Sequence, residues 1–158
     1  MELSDAERFR RAKESAAMFY DSICAVYCPY FKEEVVFNAK GFEHIRFKRR
    51  NKAREEKDQY MRFRLIELAP RILAASHTLQ GVLERKDFEL ERSHNRWDTI
   101  LRNVSYYEFV AVLKEVRVRI VVKQVEGGPK YFWSIIPFWR INPETGRRLL
   151  HSGIPNEE

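Results

Sequence analysis

The sequence contains few of the residues that mark disulfide-rich or metal-binding proteins. It has two cysteines, Cys24 and Cys28, in 158 residues. They lie four positions apart on a predicted helix, where a disulfide between them is disfavoured, so we expect structural, partly buried thiols. The four histidines form no HExxH or similar spacing. We therefore expect no metal and no other cofactor.

Long apolar runs, targeting signals and nucleotide-binding loops are also missing. No stretch reaches the roughly 18 apolar residues that a membrane span needs. The N-terminus lacks a basic segment followed by an apolar one, so the sequence predicts a cytoplasmic protein without a membrane partner. Motifs of the form GxxxxGK[ST], GxGxxG and GxSxG do not occur, which argues against the common nucleotide-binding and serine-hydrolase classes.

What the chain does contain is positive charge and aromatic residues. It has 29 Lys and Arg against 23 Asp and Glu, a net charge of +6, and 13% aromatic residues. This balance favours a basic globular protein whose partner is a polyanion. The length predicts a single domain, 1–158, with an N-terminal helix in 1–32, a core in 33–141 and a loosely held tail in 142–158.

Hydrophobic periodicity predicts helices first and strands second, which is an α+β arrangement. The expected helices are Asp5 to about Tyr27, a short one around Lys40–Ile45, and a long one from about Ala53 to Ser76 with a kink at Pro70. The expected strands are Glu34–Phe37, Thr78–Leu83, Tyr106–Lys114, Val116–Val125 and Lys130–Trp139. The charged segment from Asp87 to about Asn103 fits neither period and is left unassigned.

The last two strands predict a hairpin with one apolar and one basic face. A turn at Glu126–Pro129 places Val122 opposite Trp133 and Ile120 opposite Ile135 on the apolar face. The other face carries Arg117, Arg119 and Lys123 on one strand, with Phe132 and Ser134 on the next. Crowded like charges need an acidic neighbour or a polyanion, so this face is either an ordinary solvated surface or a phosphate-binding one.

A second basic feature surrounds His44. Lys40 and His44 lie four apart on one side of the predicted short helix. Six cations in nine residues follow: Arg46, Lys48, Arg49, Arg50, Lys52 and Arg54. An imidazole can move a proton near neutral pH, and fixed cations can stabilise a phosphorane. A structural histidine beside a solvated loop is the alternative interpretation.

Five segments together resemble a known family. They are Phe37–Ile45, Arg62–Leu65, Ala69–Leu73, Thr78–Gln80 and Phe132–Pro137. In this order they resemble the phage and mobile-element nucleases of the barnase–EndoU–colicin–RelE superfamily, abbreviated BECR, over about two-thirds of the chain. The resemblance implies N-terminal helices packed on a twisted antiparallel sheet of about four strands. It also implies metal-independent RNA cleavage, in which the 2′-hydroxyl attacks the adjacent phosphate and leaves a cyclic phosphate.

The colicin D pattern within this superfamily implies His44, Lys40 and Ser134 as catalytic residues, with Trp133 or Trp139 as the matching tryptophan. The expected substrate-binding residues are Arg46, Lys48, Arg50, Arg54, Gln80, Arg117, Arg119 and Trp139, although Gln80 could instead hold neighbouring backbone. The register argument assigns Trp133 to the core and leaves Trp139 for base stacking. The expected function is an endoribonuclease acting on RNA, with tRNA as the first substrate to test and an immunity or antitoxin protein as a partner. The alternatives are a non-catalytic RNA-binding module and a phage-encoded protein-interaction regulator.

Overall fold

The computed structural model describes residues 1–48, 51–113 and 116–137. Within these ranges the chain forms four helices and six strands. Two strands lie between the first and second helices, and four follow the last helix. The helices are α1 (Asp5–Ile23), α2 (Ala39–Arg46), α3 (Glu56–Leu65) and α4 (Leu68–Ala74). The strands are β1 (Ala25–Cys28), β2 (Glu33–Val36), β3 (Gly81–Ser93), β4 (Arg96–Leu113), β5 (Val116–Val125) and β6 (Lys130–Pro137). None of the described helices is both long and apolar enough to cross a membrane.

Helix α1 begins as the sequence predicts but ends earlier. The Ser4 side chain caps it by accepting a hydrogen bond from the Glu7 backbone N–H at 3.2 Å. Cys24 adopts a φ of 59°, in the left-handed region, and this stops the helix. The prediction of a helix to Tyr27 is therefore wrong, because 25–28 form β1 and pair with β2.

The predicted long helix from Ala53 to Ser76 is also wrong in detail. It is two helices, α3 and α4, separated at Ile66 and Glu67. Pro70 is the third residue of α4. In the first helical turn the missing N–H of proline costs no hydrogen bond, so Pro70 starts a helix and does not kink one.

The sheet has six strands in the order β1-β2-β6-β5-β4-β3. All neighbours are antiparallel except β2 and β6, which pair in parallel at Val36 and Tyr131. The α+β class with N-terminal helices is confirmed, while the expectation of about four antiparallel strands is wrong. Periodicity predicts five of the six strands in part; β1 is the strand it misses, and β3 and β4 extend through the unassigned segment as one long hairpin. Its turn, His94-Asn95, has φ values of 51° and 62°, as a two-residue type I′ turn requires.

The β5–β6 register differs from the prediction by one β-bulge. Ile120 faces Ile135 as predicted, but Val122 faces Phe132, not Trp133. The register shifts between Val121 and Val122, so Trp133 is the extra residue on β6. Phe132 consequently lies on the apolar face and is fully buried. Because of the bulge, the Trp133 side chain does not follow the regular alternation of side chains between the two faces of the sheet, and it points towards α2.

Buried side chains form two clusters. The larger one fills the space between the helices and the sheet, with Phe37 stacked on Phe132 at 5.1 Å between ring centres. The smaller one contains Val104, Tyr106, Val121 and Ile136, with Trp133 packed at its border. Trp133 is half-buried and not part of the main core. Its position at the border exposes it to a pocket beside α2.

Candidate functional site

A pocket of about 250 Å³ lies where α2 meets the sheet, and we call it the α2 pocket. Its polar lining residues are Lys40, Glu43, Lys48, Asn51, Glu89 and Lys123. Its aromatic lining residues are His44, Phe47, Phe88, Tyr131 and Trp133. Three lysines and two glutamates give the lining a small positive excess when His44 is neutral. Charged groups and aromatic rings therefore meet in one concave site.

Helix α2 is held close against β6, and this contact positions the pocket. Asn38 caps the helix by accepting a hydrogen bond from the Gly41 N–H at 3.2 Å. A Cβ atom at Gly41 would overlap the carbonyl oxygen of Phe132, so only glycine allows this approach. Residues one turn apart then face the same way, which places both Lys40 and His44 at the pocket.

Two contacts fix the orientation of the His44 ring. Its ring stacks on Trp133 at 3.9 Å between centroids with an interplanar angle of 16°. Its Nε2 lies 3.2 Å from Nη2 of Arg54. Because a guanidinium only donates, Nε2 is assigned as the acceptor and Nδ1 carries the proton. Proton transfer to Nε2 would therefore require Arg54 to move away.

Burial and positive neighbours keep His44 neutral. Only 6% of its surface is exposed. Burial, followed by the charges of Arg54, Arg62 and Lys123, lowers the pKa of His44 well below 6.5. The neutral ring is suited to accept a hydrogen bond and to support Trp133.

A buried polar network connects His44 to Ser134. Arg54 donates from Nε to the His44 carbonyl oxygen at 3.0 Å and lies 3.7 Å from Asp58. Asp58 also binds Nε of Arg62 at 2.7 Å. Nη1 of Arg62 donates to Oγ of Ser134 at 2.6 Å. Ser134 is fully buried and does not line the α2 pocket. The structure thus brings Lys40 and His44 together at the pocket, and places Ser134 inside the protein.

Lys123 lies beside Trp133 in the same pocket. Its Nζ is 2.7 Å from Oε1 of Glu89 and 4.1 Å from the centre of the Trp133 ring. Burial lowers the pKa of Lys123, and the attraction of Glu89 opposes that shift. The pair therefore fixes a carboxylate and an ammonium group next to an aromatic ring.

The other residues predicted near α2 fall into different environments. Lys48 lines the pocket. Arg54 is 2% exposed, and its contacts with His44 and Asp58 make it a structural residue of this region. The guanidinium of Arg46 lies 4.9 Å from the Phe47 ring centre. Arg50 lies outside the described residues, so its predicted role is not tested.

The predicted residues on the sheet do not gather at the α2 pocket. Gln80 accepts a hydrogen bond from the Val110 N–H at 2.8 Å, which is the backbone-holding alternative, and it lines a separate pocket beside α4. Arg119 is buried and lies 3.4 Å from Glu108. Arg117 is exposed near the start of β5. Trp139 lies outside the described residues.

The sequence alone predicts no role for several residues of this region. Asp58 and Arg62 are four apart on α3, which is the spacing of a helical ion pair and a usable signal. Phe88 and Glu89 lie on the strand segment that had no assignment, and only the folded β3–β4 hairpin brings them to the pocket. The position of Trp133 depends on a bulge that no local sequence signal indicates.

Within the described part of the chain, neither cysteine belongs to a cluster of metal ligands. Cys24 is exposed, Cys28 is buried, and both are free thiols. Among the described residues, no three His, Cys, Asp or Glu side chains lie together in a way that could hold a metal ion.

Comparisons of the chain with protein-family models, curated proteins and solved structures found no match. The resemblance to BECR nucleases, and the RNA and antitoxin partners that it implies, therefore stay predictions.

Proposed function

We propose that the protein binds single-stranded RNA at the α2 pocket. The observation that carries this proposal is the meeting of Lys40 and Lys48 with aromatic residues, Phe47 and Trp133 among them, around one cavity. Ammonium groups bind phosphates, and aromatic side chains contact unpaired bases. In unpaired loops, such as those of tRNA, both the phosphates and the faces of the bases are accessible.

The two lysines are the cations best placed for phosphate. Among the described residues, neither Lys40 nor Lys48 forms an ion pair with a carboxylate, whereas Lys123 is held by Glu89. A phosphate therefore displaces only counterions and water at Lys40 and Lys48. The stack on His44 fixes the Trp133 ring before ligand arrives, which reduces the entropy lost on binding.

Binding can be measured by fluorescence anisotropy with a labelled single-stranded RNA over a series of salt concentrations. Lys40→Ala and Lys48→Ala should each weaken binding and reduce the salt slope by about 0.7, the share of one phosphate on a single strand. Lys57→Ala is the matched control, because Lys57 is exposed on α3 and does not line the pocket. Equal losses in all three variants, or none in the pocket variants, would contradict the proposal.

Cleavage of the bound RNA is a second candidate function. It is favoured by the carboxylate of Glu89, which lines the same pocket and is held by Lys123 at 2.7 Å. A carboxylate can remove the 2′-hydroxyl proton as that oxygen bonds to phosphorus, and a lysine can stabilise the phosphorane that follows. The bond to the 5′-oxygen then breaks, and the protonated carboxyl group can return the proton to that oxygen. The sequence resemblance to BECR nucleases supports this candidate.

Two variants separate the roles of Glu89 and His44 in cleavage of end-labelled RNA. Glu89→Gln should abolish formation of the cyclic phosphate end, while Glu84→Gln, on the same strand but outside the pocket, should not. His44→Phe keeps a ring against Trp133 and should retain activity if His44 only positions that ring. Loss of cleavage in His44→Phe with unchanged RNA binding would assign proton transfer to His44. If the protein binds RNA but yields no cleavage products from any RNA tested, its function is RNA binding without cleavage.

A further inference from the structure

Strand β3 is a long free edge of the sheet. It stands last in the strand order, and among the described residues only β4 pairs with it. Its 13 residues are mostly exposed, including Phe88 at 72% and Leu90 at 56%. Natural sheets usually shorten, cover or bend such an edge, because its unpaired backbone groups can join a strand from another chain.

The turn of the hairpin determines which backbone groups of β3 face outwards. Ser93 and Arg96 close the two-residue turn, and such a closing pair exchanges hydrogen bonds within the hairpin. Bonding alternates along the strand, so the odd-numbered residues of β3 bond to β4. The N–H and C=O groups of the even-numbered residues, from Val82 to Arg92, therefore point to the free edge.

The charges of β3 are self-complementary in one allowed register. Antiparallel pairing of two copies about Phe88 sets even-numbered residues opposite even-numbered ones. It brings Glu84 opposite Arg92 of the second copy, while the two Phe88 rings become cross-strand neighbours. Arg85 comes opposite Glu91, but these two already pair with Asp87 and Arg102 within the chain. Among the described residues neither Glu84 nor Arg92 has an ion-pair partner, and Arg92 donates only to Asn95 at 3.3 Å.

One like-charged pair in this register is already neutralised. Asp87 would face Glu89 of the second copy. Asp87 is bound by Arg85 at 2.8 Å and Glu89 by Lys123 at 2.7 Å, so neither carboxylate is an uncompensated charge. The two neighbouring allowed registers, centred on Asp87 and on Glu89, place Glu84 opposite Leu90 and opposite His94, and both lose the Glu84–Arg92 pairs.

We propose that two copies of this chain associate through antiparallel pairing of their β3 edges about Phe88, which joins their sheets into one. The association uses the free backbone edge, the Glu84–Arg92 pairs and the Phe88 contact. Phe88 also lines the α2 pocket, so this pairing lies beside the site proposed for RNA.

Charge reversal tests the register by analytical ultracentrifugation over a wide range of concentration. Glu84→Arg places arginines opposite Arg92, and Arg92→Glu places glutamates opposite Glu84. Each variant replaces two attractive pairs with two repulsive ones and should weaken the dimer about thirtyfold. An equimolar mixture of the two variants restores both pairs and should form a heterodimer. Glu14→Arg, on the exposed surface of α1, is the matched control and should dimerise normally.

Amide hydrogen exchange tests edge pairing independently of the side chains. In the dimer the even-numbered amides of β3 should exchange slowly, and in Glu84→Arg they should exchange fast. The odd-numbered amides should be slow in both, because β4 protects them. A wild-type chain that stays monomeric at every concentration would overturn the proposal. So would a dimer that both reversals leave intact, or one without protection of the even-numbered amides.

Discussion

Acid should destabilise the folded protein through His44. The ring is buried, and burial together with Arg54, Arg62 and Lys123 holds its pKa well below 6.5. In the unfolded chain the same imidazole takes up a proton near pH 6.5. Below that pH the unfolded state binds more protons than the folded state, so the free energy of unfolding must fall as the pH falls.

The size of the effect follows from this difference in proton binding. A neutral folded-state imidazole gives a limiting slope of about 1.4 kcal/mol per pH unit below the unfolded-state pKa. Integrated from about pH 7.5 to about pH 5.5, the loss assigned to His44 is about 1.4 kcal/mol. This is a large share of the stability of an average domain.

Urea denaturation at the two pH values measures the loss, and His44→Phe isolates the contribution of His44. The phenylalanine keeps a ring against Trp133 but cannot be protonated. Other groups titrate equally in both proteins, so the wild type should lose about 1.4 kcal/mol more than the variant over this range. Equal losses would show that His44 is protonated in the folded protein, which would refute the assignment of Nε2 as an acceptor for Arg54.

Two substitutions test the packing around the pocket, each by urea denaturation. Gly41→Ala should destabilise the protein by about 3 kcal/mol, because the added Cβ overlaps the Phe132 carbonyl oxygen and lies 2.6 Å from the Tyr20 hydroxyl. Gly81→Ala is the control and should have little effect, because its added Cβ meets no atom closer than 3.5 Å. Ser134→Ala should cost about 1–3 kcal/mol, because it removes a buried acceptor of Arg62, whereas Ser22→Ala on exposed α1 should stay within about 0.5 kcal/mol.

The fold could be predicted from the sequence where the signals are local. The caps at Ser4 and Asn38 and the 126–129 turn follow from residue types at fixed offsets. The end of α1 could not be predicted in this way, because no residue type around Cys24 requires its positive φ. The break at Ile66 has a local cause, because Pro70 has no N–H to donate to the Ile66 carbonyl oxygen and its ring crowds that oxygen. Residues 87–103 belong to a long hairpin that carries many charged side chains, so the alternation of apolar and polar residues that predicts a strand is not visible there.

The candidate site could be predicted only in part for the same reason. Lys40 and His44 share one helical turn, so their common direction follows from spacing alone. A single bulge in β6 moves Trp133 to the pocket. Ser134 lies opposite Val121, as the Ile120–Ile135 register requires, and its burial against Arg62 depends on the packing of α3. A one-residue shift in a strand reverses which face each side chain occupies, and hydrophobic alternation cannot reveal it.

Part of the positive charge of the described residues is not available to a phosphate. Arg54, Arg62, Arg119 and Lys123 are each 2–4% exposed and lie against carboxylates within the protein. Their charges stabilise the folded chain around the pocket and release no counterions on binding. If Lys40 and Lys48 make the phosphate contacts, the salt slope for single-stranded RNA should be about −1.4, whereas six contacting cations would give about −4. A slope near the larger value would show that the binding surface extends well beyond the α2 pocket.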